Sequence, residues 1–407
     1  MIVRRSAAVL AASAVIGAAF APAAFAADAS PSPSPALPSG LFGSADPTYD
    51  GVWRQSLALL AQHTAGVEPA AKAVKWLTGQ QCATGAFAPY RADASAKCDA
   101  KTMVDTNNTA AAVQALAALG GHDGELGKAV GWLKSVQNKD GGWGYTAGGA
   151  SDANSTSVVI GALAAAGQHP GDVVKDGKSP YDALVKLSVP CDEDGGGAFA
   201  FQPDKKGKLA ANADASAAGV VGSLGKGFVT TAGKASGGDT CRDADGLTPQ
   251  GAAANGASYL AGSLDAKPYL LSAMPGAKDQ PDYGNTADAV VALAAAGRTA
   301  DTKKPLAWLE KESGTWAAKA GPAAYAQLIF AAHATGTDPR HFGGQDLVTQ
   351  LGRTGPAAAA ADHSDAADEK KKDDDKGLGV WWIVGVGLVA GIGIGFLLSG
   401  RNKKQQL

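Results

Sequence analysis

The chain has 407 residues, 45% of them hydrophobic, with 36 Lys and Arg against 38 Asp and Glu. Five of the basic residues lie at the two ends, which leaves 31 against all 38 acidic side chains and a net charge near −7 between them. Such a balance excludes a nucleic-acid or polyanion binder.

Residues 1–26 read as a secretory signal peptide: Arg4 and Arg5, an apolar run, then the small-x-small site Ala24-Phe25-Ala26. Residues 27–40, a Pro/Ser tract, form an extended linker that cannot bury a core. Residues 41–354 form the folded domain, and 355–377 an Ala-rich, charged stalk. Residues 378–399 run without a charge, about 33 Å as a helix at about 1.5 Å per residue, and predict one transmembrane helix. Trp381 and Trp382 mark its outer edge, while Arg401, Lys403 and Lys404 hold the tail, 400–407, in the cytoplasm. The domain is therefore expected outside the cell on a single-pass tether. Cys82, Cys98, Cys191 and Cys241 fall in that domain, and an even count outside the cell reads as two disulfides. Three pairings are possible. The local one, Cys82–Cys98 with Cys191–Cys241, closes two loops between helices, and closing about 15 residues contributes roughly 3 kcal/mol. A zinc site is the alternative.

Within the domain a unit of about 50 residues recurs, the signature of stacked helical hairpins. A first helix carries an aromatic-Leu pair: Trp76-Leu77, Trp132-Leu133, Tyr259-Leu260, Trp308-Leu309. A glycine-rich loop with one aromatic follows, at Phe87, Trp143, Phe199 and Trp316. Next comes a polar Asp/Asn/Ser/Thr cluster, then an alanine-rich second helix, starting near Asp105, Asp152, Asn212 and Gly284; a fifth copy from Ala320 lacks the cluster. The second helices are apolar all round and must be buried; the first carry Lys and Glu on one side and must face water. With 52–65 as the first inner helix and 345–352 as the last outer one, the count is 12, six inner and six outer. A ring of six hairpins has no free edge. The expected fold is all-α, an α6/α6 toroid.

The polar clusters sit where inner helices begin. Asp105, Asp152 and Asn285 are placed as N-caps, which accept from orphan backbone N–H groups. In a ring all these N-termini share one mouth, with their positive dipole ends and remaining polar groups. The candidate ligand-binding residues are Asp105, Asn108, Thr109, Asp152, Asn154, Asn212, Asp214, Tyr283 and Asn285, a bowl for a polar ligand with amide or anionic groups. Trp76, Trp132 and Trp308 read as hairpin packing, and Trp143 and Trp316 as loop plugs rather than ligand platforms. Asp192-Glu193-Asp194 lacks the oxygen spacing of a calcium loop and reads as a solvated charge run. The six histidines show no metal spacing, and neither GxSxG nor a P-loop occurs. No catalytic residue, metal site or cofactor is assigned.

Gln137-Asn138-Lys139-Asp140-Gly141-Gly142-Trp143-Gly144 resembles the Q-x-x-D-G-G-W-G signature of the prenyltransferase/squalene-cyclase superfamily, over most of residues 70–354. The resemblance implies the α/α toroid and a structural role for the Gln–Trp motif. The D-x-D-D acid of triterpene cyclases, the zinc ligands of protein prenyltransferases and the GCGEQ run of thioester proteins have no counterpart here. Val104-Asp105-Thr106, followed by Ala110-Ala111, is similar to the V-D-T-A-A-M stretch of the cobalamin carriers, secreted α6/α6 domains without catalytic groups. That likeness implies Asp105 and Thr106 facing a ligand, although the carriers' small β lid domain has no equivalent in this chain. The leading expectation is a membrane-tethered extracellular domain that captures a small molecule, a corrinoid or cobalamin-like ligand, and delivers it to an importer in the same membrane, where a partner could supply the lid. Tethering raises effective concentration at such a transporter. Two alternatives stand beside it. One is an exported toroid enzyme: a polysaccharide lyase or glycosidase with Asp105 and Asp152 as its carboxylates, or a terpenoid cyclase or prenyltransferase-like protein. The other is a surface scaffold with a plugged ring.

Overall fold

The computed structural model describes residues 37–234, 241–243, 246–272 and 279–358. The expected signal peptide, residues 27–36 of the Pro/Ser linker, most of the stalk, the span at 378–399 and the tail lie outside the described residues. Among the described residues no helix is long and apolar enough to cross a membrane.

Inner and outer helices alternate from Pro38 onward. The inner ones are α1 (Gly51–Thr64), α3 (Thr106–Leu119), α5 (Ala153–Ala165), α7 (Ala213–Ser223), α9 (Tyr283–Ala295) and α12 (Pro322–Thr335). The outer ones are α2 (Ala71–Gly79), α4 (Asp123–Ser135), α6 (Pro180–Val185), α8 (Pro249–Asp265), α10 (Lys303–Glu312), α11 (Gly314–Ala320) and α13 (Leu347–Arg353). Each inner helix packs on the next, α1 on α3, α5, α7, α9 and α12 in turn, and α12 packs back on α1. The ring of inner helices is closed, an α/α toroid of six inner helices with seven outer ones among the described residues. The ends of the ring meet too, where the Gly43 N–H donates to the Thr354 carbonyl at 2.7 Å.

Composition explains the layers. Every residue of α3 from Thr106 to Leu116, and of α5 from Ala153 to Leu163, is buried. Ala and Gly there let backbones approach closely, and helix-on-helix packing supplies the stability that a short isolated helix lacks. By contrast α2 buries only Ala73 and Leu77, and α10 only Pro305 and Leu309. In the aromatic-Leu pairs Leu is the inward member: Leu77, Leu133, Leu260 and Leu309 are fully buried. Trp76, Trp132, Tyr259 and Trp308 lie half-buried against the core.

Two local departures from expectation have simple causes. Trp316, expected on a loop, belongs to α11, because Gly314–Ala320 follows α10 after Ser313 and winds another two turns. Two short antiparallel ladders also occur, β1 (Phe199–Ala200) with β2 (Ala211–Asn212) and β3 (Leu270–Leu271) with β4 (Pro281–Asp282). Each brackets a long excursion leading into α7 or α9.

Both disulfides form in the local pairing, Cys82–Cys98 and Cys191–Cys241, each with Cα atoms 5.6 Å apart.

The ring axis is filled from one end. After α7 the chain turns inward and places Phe228 edge-on to Trp53 of α1, centroids 5.5 Å apart, and parallel to Phe330 of α12 at 6.4 Å. The Phe228 N–H donates to Gln114 Oε1 of α3 at 2.7 Å, while Gln114 Nε2 donates to the Val158 carbonyl of α5 at 3.1 Å. A Cβ on Gly161 of α5 would strike the backbone of Gly227, so two glycines permit this close approach. Gln114, Gly161 and Phe330 are the ninth residues of α3, α5 and α12, whereas Trp53 is the third of α1, so the inward segment meets the inner helices at more than one level. Replacing Gln114 with Ala strands the buried Phe228 N–H, a change that costs about 1–3 kcal/mol. The Q114A melt is expected to fall accordingly, and a melt identical to the parent's would show that the plug is not held by this bond.

Candidate functional site

The opposite end of the ring, where the inner helices start, collects the polar clusters, and the hydrogen bonds separate their members into three roles. The first is capping. Asp105, Asp152, Asn212 and Asp282 are the N-caps of α3, α5, α7 and α9, each accepting from the backbone N–H three residues on. In the α9 repeat the cap is therefore Asp282 and not Asn285, whose N–H is the donor. The physical reason is register: Asp282-x-x-Asn285 repeats the spacing of Asp105-x-x-Asn108, one turn earlier than Asn285 alone suggests.

The second role is to staple the preceding loop. Thr109, Thr156, Ser216 and Thr286, all at the fourth helical position, accept the backbone N–H of Phe87, Trp143, Phe199 and Leu270 at 2.9–3.1 Å. Thr109 also donates to the Asp105 carbonyl, so both faces of its hydroxyl are occupied within the fold. The corner itself is built by the Gln–Trp motif. Gln137 Nε2 donates to the Gly141 and Val173 carbonyls, and the Trp143 ring N–H to the Leu133 carbonyl that ends α4. Gln81 repeats the arrangement with Gly85 and Glu125. Gly141 has φ +91, and a Cβ there would collide with the Ser179 carbonyl.

What remains forms the third group. At the second and third helical positions the oxygens of Asn107, Asn108, Asn154, Asp214 and Asn285 are buried without a hydrogen-bond partner. Their orientation is fixed where a carboxylate faces the amide: Asn108 Nδ2 donates to Asp105 Oδ2, Asn154 Nδ2 to Asp214 Oδ2, and Asn285 Nδ2 to Asp282 Oδ2, at 2.8–2.9 Å. A carboxylate only accepts, so the amide nitrogen must face it and the oxygen must face away. The mouth thus presents acceptors from α3, α5, α7 and α9. One turn deeper, Asp288 of α9 is 3% exposed and accepts from Gln327 Nε2 of α12 at 3.0 Å.

This lining corrects one expectation. Oxygen acceptors and carboxylates repel an anionic group, so the bowl suits donors, either hydroxyls or N–H groups. Electrostatics sharpens the point. Burial pushes Asp105 and Asp152 up to about 6, against their N-cap hydrogen bonds. Burial, with the charges of Asp282 and Asp152, pushes Asp214 up to about 7 against the Asn154 bond. Asp288 lies well above the carboxylate range through burial and the charges of Asp214 and Asp282.

The remaining candidates fall as follows. Asp105 and Asp152 have both oxygens engaged, by Asn108 and Ser155 respectively. Thr106 is buried with its N–H on the Tyr145 carbonyl. Tyr283 stacks on Trp308 at 4.6 Å and on Trp316 at 5.4 Å, a half-buried aromatic group beside Asn285. Asp192, Glu193 and Asp194 are exposed. Asn107, Asp282, Asp288 and Gln327 were not among the expected site residues. Two other clefts lie away from the mouth, about 280 Å³ beside Thr64, Ile329 and His333, and about 400 Å³ beside Tyr181, Leu247 and Pro249.

The chain is thus an α/α toroid whose inner-helix N-termini gather buried carboxylates and unpartnered acceptors. No family model matches the chain, and no curated protein matches it. Among solved structures it is similar to a sugar epimerase from a ruminal bacterium, at 14% identity and TM-score 0.45 over 67% of this chain and 80% of that one. It is also similar to ent-copalyl diphosphate synthase from Streptomyces platensis, at 13% identity and TM-score 0.46 over 70% of this chain and 50% of that one. At this level of likeness neither name bears on the chemistry of this chain, and the toroid rests on its own helix contacts.

Proposed function

We propose that the mouth is the active site of an exported, membrane-tethered enzyme that performs acid–base chemistry on a hydroxyl-rich, carbohydrate-like substrate. The observation that carries this reading is Asp214: one oxygen is held by Asn154, the other is buried without a partner, and its pKa lies near neutrality. A group with a pKa near the working pH is suited to give and take protons. Asn107, Asn108, Asn154 and Asn285 supply acceptors for substrate hydroxyls, and burial, with the charges of Asp214 and Asp282, raises the Asp288 carboxyl beneath them well above its ordinary value. Hydrolysis fits this lining better than uronate elimination, because a uronate brings a carboxylate into a carboxylate cluster. Asp105 and Asp152 serve as caps and are not the catalytic pair in this reading.

The test is a panel of neutral and amine-bearing oligosaccharides, assayed for new reducing ends with the parent and with Asp214→Asn. Turnover by the parent and loss of at least a hundredfold in D214N is expected, with D214N still folded. Turnover equal in both would remove Asp214 from the chemistry.

A second reading shares the mouth: capture of a small molecule and transfer to an importer without chemistry. The Phe228 packing inside the ring speaks against it and favours the surface scaffold with a plugged ring instead. A corrinoid is the carrier's specific form; titration calorimetry with cobalamin and cobinamide tests it, and no heat with either would exclude that ligand.

A further inference from the structure

We infer that the mouth end of the toroid is a docking face for the surface of the lipid bilayer that the chain's own tail enters. It rests on the reading of residues 378–399 as a span and stands apart from any chemistry at the mouth.

The chain leaves the ring at this end. The Gly43 N–H donates to the Thr354 carbonyl, so the two ends of the ring lie together. A Cβ placed on Gly43 would come 3.2 Å from the ring of Pro322, the first residue of α12, and 3.3 Å from Arg54 Nε in the first turn of α1. The exit therefore lies beside the N-terminal ends of α1 and α12, on the mouth side of the molecule. Residues 359–377 follow before the apolar run at 378–399, and at about 3.5 Å per extended residue they reach at most about 65 Å. A tether fixed at the mouth end raises the concentration of that end, rather than the far one, at the bilayer.

The side chains exposed on this end are of a matching kind. Four large apolar side chains are exposed among the described residues, and three stand on segments that enter inner helices. They are Tyr49 before α1, 54% exposed, Met103 before α3, 44%, and Leu271, 38%, in the ladder that leads into α9. The excursion between β1 and β2 adds Lys205, Lys206 and Lys208, all exposed, before Asn212 caps α7. Asp204 Oδ1 accepts the Lys206 and Lys208 backbone N–H groups at 2.7 and 2.8 Å, which fixes the turn. None of the three ammonium groups has an ion pair among the described residues. Acidic side chains also stand on this end, Asp46, Asp93 and Asp99 among them, so attraction for anionic lipid is concentrated in the lysine tip.

Their distribution favours a bilayer over a protein partner. Tyr49, Met103, the lysine tip and Leu271 come from the approaches to α1, α3, α7 and α9, so they are spread around the rim instead of forming one patch. A protein hot spot is a contiguous, desolvated cluster. A flat surface meets separated points together. Apolar side chains enter the headgroup layer, where tyrosine is favoured, and lysines meet anionic lipid through an attraction that fades within about 10 Å and weakens with salt.

The test places the full chain, purified from the membranes of an expressing host, in vesicles of phosphatidylcholine alone or mixed with phosphatidylglycerol. Lysines are modified with a membrane-impermeant amine reagent and read by peptide mass. With phosphatidylglycerol present, modification of Lys205, Lys206 and Lys208 is expected to fall at least threefold and to recover in high salt. Lys303 and Lys304, exposed where α10 starts beyond the C-terminal end of α9, are the internal reference and should not change. Tyr49→Glu with Met103→Glu, both at exposed positions, should restore modification of the tip and leave the melt unchanged. Equal modification of the tip in both vesicles, with the tail inserted, would overturn the docking face and leave the tether standing. A chain that alkaline extraction strips from the vesicles would overturn the tether and the docking face together. Protection present in host membranes and absent from pure lipid would overturn the lipid and assign the face to a protein.

Discussion

Trp143→Ala is expected to lower the melting temperature by roughly 10 °C, the largest loss from any single aromatic in the chain. The ring is 1% exposed, and its N–H closes α4 by donating to the Leu133 carbonyl at 2.7 Å. Truncating a buried tryptophan costs about 3–5 kcal/mol, and a kilocalorie shifts the midpoint by about 2–4 °C in a domain of this size class. The Trp143 N–H and carbonyl are also stapled to Thr156, so the cavity would open directly behind the start of α5. Trp132→Ala, on the half-buried outer stripe, should cost much less. The comparison is read by thermal unfolding followed by circular dichroism. If the two variants melt alike, Trp143 is not the pin of that corner.

Asp288→Asn is expected to act in the opposite direction, raising the melting temperature at pH 8 above that of the parent while leaving it nearly unchanged at about pH 4, the unfolded carboxylate value. Asp288 is buried, its carboxyl is held well above its ordinary value, and its single described side-chain bond, from Gln327, can be accepted equally by an amide oxygen. A carboxyl with a raised folded-state pKa binds its proton more tightly in the native than in the unfolded chain. Its contribution is therefore complete below the unfolded pKa and is lost as pH rises through the folded value. Between those two values each such group removes about 1.4 kcal/mol per pH unit. Asp105 and Asp152 near 6 and Asp214 near 7 act with the same sign, so the parent should melt highest in mild acid and fall steadily toward pH 8. Asparagine at 288 removes one of these titrations and flattens the slope. A pH–stability curve identical in parent and variant would mean that Asp288 does not ionise within the folded range.

The two variants expose what could be read from residues alone. The ring was legible because its causes are periodic: alanine-rich helices without a polar face must be buried, and six of them with six amphipathic partners close on themselves. The local disulfides and the packing role of Trp143 follow from the same repeat. The mouth was legible only in outline. Cap, staple and free acceptor are drawn from one short alphabet of Asp, Asn, Ser and Thr, and a one-turn difference in register decides which is which. Asn285 was placed at the cap for that reason, although the D-x-x-N spacing shared by Asp105 and Asp282 carried the answer. Asp288 and Gln327 were out of reach, because they come from different hairpins and only the packing of α12 on α9 brings them together. The plug was hidden as well: nothing in Gly225-Lys226-Gly227-Phe228 marks it as a segment that turns inward instead of running along the surface.

The bond between Gly43 and Thr354 has a consequence beyond sealing the ring. A ring whose ends touch has no privileged starting point, so residues 43 and 354 could be joined there and new ends opened at the exposed tip near Lys205 without altering a single inner contact. Such a permuted molecule would differ only in the order in which its hairpins emerge during synthesis. In the natural order α1, which starts at Gly51, is made first and must wait for α12, which starts at Pro322, to cover its open flank. The chain therefore travels with one unprotected face until the last hairpin arrives, and the permuted version would move that vulnerable seam to the β1–β2 side.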